Sequence, residues 1–416
     1  MSFSAQPREF TANPEEVGVS ERNLRYIDQA MQRSIDDKTL KGIVTLVARH
    51  GKIVQLKAYG EADEGVPMQT DCIFRLASMS KTIGAVALLR LVDQGKLLLT
   101  DPVSKYIPGF ANLKVVQPGP DGKPVASDLE RCVTVHHLLT MTAGTARIGA
   151  SGRPGAEIYS DKLKELGICD TMHPLDETIG EIVDKVATIP LASQPGTRFE
   201  YSNVAVITAG RIVELVSGMP LADYLQKYIL DPLDMVDTAF FPPESKWPRI
   251  PQVFESGTMK RLDKLDIPGT DDTQVPFSKV QKFHNIAGGL NGTAYDYFRF
   301  AQMLLNGGEL YGTRIISRNA VKLLSTNQVG DLRDNFRQHA WGYLAGVQVD
   351  YNTQFNYLGL GSFGWYGYWG TIYNIWPEKD ALVIFLTQAS PEDYPRLSSW
   401  QTQGRFFSIV SGAIMD

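Results

Sequence analysis

The chain has 416 residues, and its 41 lysines and arginines against 46 aspartates and glutamates give a formal net charge of −5. It lacks the basic excess or basic run that is typical of nucleic-acid binders, so that class is excluded. Hydrophobic residues make up 43% and charged residues 21%, which indicates a folded protein with room for two or three domains.

The cysteines and the N-terminus bear on the compartment. Cys72, Cys132 and Cys169 are far apart, odd in number and without a CxxC pattern. This argues against a disulfide framework and a structural zinc site. The N-terminus has no apolar stretch of signal-peptide type. The longest charge-free segment, 351–377, is too polar and glycine-rich to span a membrane. We therefore expect a cytoplasmic protein without a membrane span.

The first elements in chain order are a helix and a hairpin. Ser20 is a candidate N-cap for a helix over 21–36, where apolar residues recur on one face. Two segments rich in Val, Ile and Leu, 43–49 and 52–59, follow as strands. His50-Gly51 lies between them and predicts a tight turn.

The middle of the chain predicts mainly helices and long polar loops. The predicted helices are Ser78–Asp93, Thr134–Leu139, Val204–Ser217 and one that ends at Asn306. Gly95 ends the first of them, and Asn203 is a candidate cap for the third. Thr293 and Asp296 predict a reciprocal capping box at the start of the last. Strands return at 371–376 and 381–387, and a last helix is predicted over 400–414.

This order predicts an α/β (α+β) fold. We expect one antiparallel sheet, built from both chain ends and flanked by the N- and C-terminal helices, with an inserted, mostly helical domain. The predicted division is a sheet domain of residues 1–72 and 300–416 and a helical domain of residues 73–299. The active site is expected in the cleft between them.

One segment predicts nucleophilic chemistry. Ser78-Met79-Ser80-Lys81 contains the SxxK pattern, and residues three apart on a helix share a face, so the Lys81 amine can take the Ser78 proton. Apolar neighbours desolvate Lys81 and favour its neutral form. The alternative is an N-cap serine followed by a solvated lysine, because so short a pattern also arises by chance.

Tyr201-Ser202-Asn203 opens the next predicted helix. A tyrosine at such a corner can serve as general base and later as acid when an ammonium is nearby. Asn203 can donate a hydrogen bond to a substrate carbonyl or to Lys81. The alternative is a core tyrosine followed by a capping asparagine.

The third element, residues 364–371, alternates glycines with aromatic residues, which suits a strand that another group approaches closely. It overlaps a formal GxGxxG, but no helix follows and no βαβ unit surrounds it, so a dinucleotide site is rejected. No GxSxG elbow occurs, and the scattered histidines predict no metal site. We expect no cofactor.

SxxK, YxN and a glycine-bearing C-terminal strand in this order resemble the serine β-lactamase and penicillin-binding-protein superfamily. The spacing from Ser78 to Tyr201 is similar to that of its class C branch and related esterases, and residues 20–390 look like this family throughout. The resemblance implies that Ser78 is the acyl-forming nucleophile, that Lys81 and Tyr201 move the proton, and that Asn203 orients the substrate or Lys81. It also implies an oxyanion hole made by the backbone N–H groups of Ser78 and Tyr368.

The third motif departs from that of the antibiotic-related members. In those proteins it reads Lys-Thr-Gly or His-x-Gly, whereas here it looks like Trp365-Tyr366-Gly367. Without a cation, a substrate carboxylate would lose hydration without compensation, so neutral esters are favoured. W-x-G is similar to the family VIII carboxylesterases. Trp365, Gly367 and Tyr368 are therefore predicted to bind substrate, with Phe363 and Trp369 adding to an aromatic pocket.

The leading prediction is a serine carboxylesterase that acts on a neutral small-molecule ester through an acyl-enzyme. An acyltransferase with an alcohol acceptor is the first alternative. A β-lactamase or D-amino-acid peptidase comes next. A non-catalytic scaffold is disfavoured because Ser78, Lys81 and Tyr201 are all present.

Overall fold

The computed structural model describes residues 11–119, 121, 123–168, 177–262, 282–332, 340–350, 358–390 and 398–415. Its α-helices are α1 Glu21–Asp36, α2 Ser80–Asp93, α3 Val135–Leu139, α4 Pro154–Glu165, α5 Ile179–Val186, α6 Asn203–Ser217, α7 Leu221–Leu225, α8 Ala294–Leu305, α9 Arg318–Leu324 and α10 Ser398–Ala413. The helix predicted over 21–36 is confirmed, with Ser20 as its N-cap.

One antiparallel sheet organises the molecule. The strands are β1 Gly42–Arg49, β2 Lys52–Asp63, β3 Val66–Pro67, β4 Phe74–Arg75, β5 Lys114–Pro118, β6 Pro124–Asp128, β7 Phe254–Glu255, β8 Asn291–Gly292, β9 Glu309–Leu310, β10 Thr313–Arg314, β11 Ala340–Trp341, β12 Gly346–Val347, β13 Phe363–Tyr366, β14 Ile372–Trp376, β15 Ala381–Thr387 and β16 Ala389–Ser390. The strand order in this sheet is β11-β12-β13-β14-β15-β1-β2-β3. The sheet thus takes its strands from both chain ends, which confirms the predicted fold.

The centre of the sheet is the β1–β2 hairpin and the antiparallel pair β1–β15. His50 and Gly51 both have positive φ, 52° and 72°, as a tight hairpin turn requires, and Gly51 meets that requirement without a Cβ clash. All eight residues of β1 and all seven of β15 are buried. Their largely apolar sequences, buried throughout, are typical of strands that are covered on both faces of the sheet.

Each face of the sheet has its own apolar core. On one face, α1 and α10 pack against each other and against the sheet through side chains such as Ile27, Phe406 and Phe385. On the other face lie α8 and the central helix α2, which packs against α6. Helix α2 is buried at almost every position from Ser80 to Leu91. Because α2 begins between the sheet and the helical part of the chain, side chains from both converge at its N-terminus.

Three local expectations need correction. Helix α2 begins at Ser80, and Ser78 lies in the preceding 3-10 turn, Ala77–Met79. Asn203 is the first residue of α6, and its predecessor Ser202 occupies the N-cap position. The proposed reciprocal capping box of α8 is half right, because Thr293 accepts from Asp296 N, while the Asp296 carboxylate is used elsewhere. The division at residues 72 and 300 stays a prediction, and α8 runs across residue 300.

The Asp296 carboxylate is buried and linked to another part of the chain. It is 2% exposed, and one oxygen accepts hydrogen bonds from Thr238 Oγ1 and Asp237 N, both at 2.8 Å. Burial is the main cause that raises the pKa of Asp296 from 3.8 to about 6, against the smaller opposing effect of these hydrogen bonds.

A stability measurement tests this burial. Because the folded-state pKa is raised, the contribution of Asp296 to stability is fully present below its unfolded pKa and is lost as the pH rises through about 6. Asp296→Asn keeps an acceptor oxygen and cannot ionise. The free energy of unfolding of Asp296→Asn minus that of the wild type should therefore grow by about 2–3 kcal/mol between pH 4 and pH 7. A constant difference in urea titrations at the two pH values would contradict the prediction.

Within the described ranges, no single helix is long and apolar enough to cross a membrane. One pair, Asn203–Ser217 with Leu221–Leu230, passes that test together by length and composition, with a bend of 77° between its parts.

Candidate active site

Ser78 is presented by a strained turn. It follows β4 and is partly exposed, whereas the residues on both sides of it are buried. Ala77, directly before it, has a φ of 46°, a left-handed conformation that costs a residue with a Cβ about 1–2 kcal/mol. Such strain persists where the surrounding structure enforces it, and it is frequent at functional sites.

Lys81, in the first turn of α2, lies beside Ser78. Its side chain is fully buried, and Nζ is 2.9 Å from Ser78 Oγ and 2.5 Å from the carbonyl oxygen of Ala287. The same nitrogen is 5.0 Å from the centroid of the Tyr201 ring. The amine therefore contacts the hydroxyl directly and faces an aromatic ring that stabilises a cation.

Tyr201 closes the other side of this group. It lies just before α6 and is partly exposed, and its Oη accepts a hydrogen bond from Trp365 Nε1 at 3.0 Å. The two rings are 5.6 Å apart with an interplanar angle of 30°. A hydrogen bond donated to the phenol oxygen favours negative charge on that oxygen.

Gly367, the residue after β13, packs closely against the segment that carries Ser78. A Cβ on Gly367 would lie 2.4 Å from the Leu76 carbonyl oxygen and 2.2 Å from Thr371 Oγ1, so only glycine fits here. Thr371 Oγ1 also donates to Leu76 O at 3.1 Å. This close approach places the chain after Gly367 next to the turn that holds Ser78.

The backbone N–H groups of Ser78 and Tyr368 belong to the two segments that meet at this junction. Donors of this kind beside a nucleophile are what an oxyanion hole needs.

The other predicted substrate-binding residues differ in exposure. Tyr368 is 48% exposed. Phe363 and Trp369 are both 2% exposed. Of the three residues predicted to form an aromatic pocket, Tyr368 is therefore the exposed one. Trp365 is 3% exposed, and Asn203 is partly exposed. The roles of Ser78, Lys81, Tyr201, Asn203, Trp365, Gly367 and Tyr368 stay predictions, although their positions bring the first three and Trp365 together.

Sequence analysis missed two neighbours of these residues. Trp341, fully buried, meets Trp365 edge-to-face at 4.3 Å and Tyr201 at 6.0 Å, and its N–H donates to Leu139 O at 3.1 Å. Ala287 contributes only its backbone carbonyl, which no residue type can signal. The paired glycines Gly288-Gly289 were the one hint in the sequence, because such pairs allow close backbone approach.

The histidines near α3 have structural roles. His137 Nδ1 accepts from Thr134 N at 3.2 Å, and burial is the main cause that lowers its pKa to about 4. His136 Nδ1 is 3.0 Å from Tyr343 Oη. Among the described residues, no group of three or more His, Cys, Asp or Glu could hold a metal ion.

A partly exposed serine beside a buried lysine, with a phenol held against the lysine at the edge of an antiparallel sheet, is typical of serine hydrolases with the β-lactamase fold. The chain belongs to the β-lactamase family: the family described as Beta-lactamase matches residues 25–402. Family and relatives together support the class of serine hydrolases.

Two relatives in sequence and one solved structure are similar to this chain. Protein Rv1367c of Mycobacterium tuberculosis is 31% identical over 386 residues, which are 89% of this chain and 91% of that protein. Esterase EstB of Burkholderia gladioli is 34% identical over 248 residues, 58% of each chain. The structure is similar to that of EstCE1, a hydrolase with promiscuous acyltransferase activity, with a TM-score of 0.74, 23% identity and coverage of 93% of this chain and 98% of that one.

Proposed function

We propose that the protein is a serine carboxylesterase that hydrolyses neutral carboxylic esters through an acyl-enzyme on Ser78. The observation that carries the proposal is the 2.9 Å contact between a fully buried lysine nitrogen and the hydroxyl oxygen of a partly exposed serine. A buried lysine amine in direct contact with the serine hydroxyl can accept its proton without an intervening group. The similarity to Esterase EstB supports the same activity.

In the acylation step, Ser78 Oγ attacks the ester carbonyl carbon while its proton passes to the Lys81–Tyr201 pair. The carbonyl oxygen becomes an oxyanion that accepts from the N–H groups of Ser78 and Tyr368. The intermediate collapses with cleavage of the carbon–oxygen bond to the alcohol. The proton held by the pair is delivered to that oxygen, and the alcohol leaves.

Deacylation repeats these steps with water as the nucleophile. Water gives its proton to the pair and attacks the acyl carbon. The Ser78 ester bond then breaks, Ser78 regains a proton, and the carboxylic acid leaves. Tyr201 suits both directions of transfer because Trp365 supports its anionic form and Lys81 lies over its ring.

The preference for neutral substrates rests on Trp365. The resemblance aligns it with the cation of the antibiotic-related members, but here the side chain is buried and its N–H is donated to Tyr201. The position therefore offers a substrate carboxylate neither charge nor this donor. A carboxylate brought to it would lose its hydration without a compensating ion pair.

A matched pair of substrates tests the proposal. We expect the nitrophenyl ester of a short neutral acid to be hydrolysed with a kcat/KM at least about tenfold above that of an ester whose acyl chain ends in a carboxylate, since an uncompensated charge costs more than about 1.4 kcal/mol. Nitrocefin serves as the control for β-lactam turnover. Equal turnover of both esters, or nitrocefin turnover at the same rate, would contradict the proposed specificity.

An acyltransferase is the second candidate, because the same acyl-enzyme can react with an alcohol. The exposed ring of Tyr368 offers an apolar surface for such an acceptor, and the structurally similar EstCE1 is a hydrolase with promiscuous acyltransferase activity. Product analysis by mass spectrometry with an added alcohol separates the two activities, and dominance of the new ester would favour the transferase.

A further inference from the structure

The segment from Asn285 to Leu290 is bound to the chain on both sides of Ser78. Leu76 N donates to Leu290 O at 3.0 Å, and Leu290 N donates to Ser80 Oγ at 3.1 Å. Between these bonds, the Ala287 carbonyl accepts from Lys81 Nζ at 2.5 Å. The segment therefore runs along the nucleophile turn and provides the lysine with a fixed acceptor.

Asn285 closes the turn that orients this carbonyl. It is 3% exposed, and its side-chain oxygen accepts from Ala287 N at 2.7 Å. Its backbone oxygen accepts from Gly289 N, also at 2.7 Å. A side-chain oxygen that bonds the N–H two residues on forms an Asx turn, which fixes the dihedral angles of the peptides it encloses. The Asn285 side chain thus fixes the peptide that carries the Ala287 N–H, and the bond from Gly289 N to Asn285 O encloses the next peptide, which carries the Ala287 carbonyl.

Ile286 fixes the same turn from the apolar side. Its side chain is fully buried between α2 and α6, at positions where both helices carry a glycine. A Cβ at Gly84 of α2 would lie 2.5 Å from Ile286 Cδ1, and one at Gly210 of α6 would lie 3.2 Å from the same atom. The glycine in α2 is one turn beyond Lys81, so its missing side chain is what lets the segment come this close to the lysine.

We propose that Asn285 is a positioning residue for catalysis: through the Ala287 peptide it holds the Lys81 amine in line with Ser78 Oγ. The proposal rests on the proposed function. A lysine side chain has many rotamers, and the reaction needs its nitrogen within hydrogen-bond distance of one hydroxyl. A carbonyl fixed by the Asx turn selects the rotamer that meets this requirement, whereas a loose carbonyl would let the amine leave it.

The test is the rate at which Ser78 is acylated, followed by the nitrophenol burst from an activated ester and by labelling with a fluorophosphonate. Asn285→Ala is expected to lower kcat and the labelling rate about ten- to a hundredfold with little change in KM, because misplacement of a reacting group slows the chemical step. Asn285→Asp, which keeps an acceptor oxygen for the Ala287 N–H, should restore most of the rate. Asn285→Ser, with a shorter acceptor, should lie between them.

Asn327 provides the matched control. Its side-chain oxygen accepts from Val329 N at 3.0 Å, the same i to i+2 bond in another turn. Asn327→Ala should leave kcat and labelling within about twofold of the wild type. An Asn285→Ala protein that melts cooperatively and is acylated at the wild-type rate would overturn the proposal. So would an equal loss in Asn327→Ala, or a folded Asn285→Asp as slow as Asn285→Ala.

Failure to fold and failure to react have different meanings. If Asn285→Ala does not fold, the Asp and Ser variants decide, and equal rates in those two folded proteins would overturn the proposal. If the wild-type Ser78 is neither acylated nor labelled, the proposed function itself fails. If the wild type reacts and a folded Asn285→Ala variant reacts equally fast, only the proposed role of Asn285 fails.

Discussion

Ser78→Ala is expected to lower kcat for nitrophenyl esters by roughly four to six orders of magnitude, as loss of the nucleophile does in other serine hydrolases. The substitution removes one oxygen, which lies 2.9 Å from Lys81 Nζ on a partly exposed turn. The strained backbone at Ala77 and the packing of Gly367 on Leu76 do not involve that oxygen. Catalysis should therefore be lost while folding and substrate binding are kept.

Ser408→Ala is the control, because Ser408 is an exposed residue of α10. It should keep wild-type kcat, and both variants should melt within a few degrees of the wild type. Covalent labelling by a fluorophosphonate, located by peptide mass spectrometry, should map to Ser78 in the wild type and in Ser408→Ala. Ester hydrolysis by Ser78→Ala at the wild-type rate would refute the acyl-enzyme mechanism.

The parts of the site that are local in sequence were predictable. Ser78 and Lys81 are three residues apart, a spacing that brings two side chains to the same face of a helical turn. The fold was predictable for the same reason, since the pattern of α1, the hairpin turn at His50-Gly51 and the apolar strand β15 are each visible within a few residues. Their assembly into one sheet follows from antiparallel pairing of the two chain ends.

The parts of the site that depend on residues distant in sequence were not predictable. The Trp365–Tyr201 hydrogen bond joins positions far apart in the chain, and only the family resemblance placed the two motifs in one cleft. Asp296 looked like half of a capping box because nothing in the sequence reveals that Thr238 and Asp237 compete for its carboxylate. Ala287 acts through a carbonyl that every residue possesses. In each case the contact joins residues that are distant in sequence, so no local pattern reveals it.

Short or interrupted strands were also beyond the sequence. Strands β5 and β6 form a hairpin in which Pro118 pairs with Pro124, and proline ordinarily argues against a strand because it lacks the N–H donor. Strands of two residues, such as β4 and β8, are too short to show an alternating pattern. Yet the β4–β8 pair joins the chain before Ser78 to the chain after Ala287, so elements with no sequence signal help to position the nucleophile.

Tyr201→Phe is expected to lower kcat/KM about a hundred- to ten-thousandfold, the range for loss of a general acid–base group. Phenylalanine keeps the ring, so the contacts with Lys81 and with the rings of Trp365 and Trp341 remain, and only the oxygen is lost. Trp365→Phe should cost less, about tenfold, because it removes the hydrogen bond to that oxygen and leaves the oxygen in place. Steady-state kinetics on nitrophenyl esters measure both.

The matched control for these variants is Tyr343→Phe, which also removes a tyrosine hydroxyl but from a ring that is only 3% exposed. The Tyr343 hydroxyl lies 3.0 Å from His136 Nδ1, so its loss alters a structural hydrogen bond and no proton transfer to the substrate. We expect Tyr343→Phe to keep kcat/KM within about threefold of the wild type, with a lower melting temperature, since a buried hydrogen bond contributes about 1 kcal/mol to stability. If Tyr201→Phe behaved like Tyr343→Phe, the proton would have to travel through Lys81 alone, and the assignment of Tyr201 as the acid and base would be wrong.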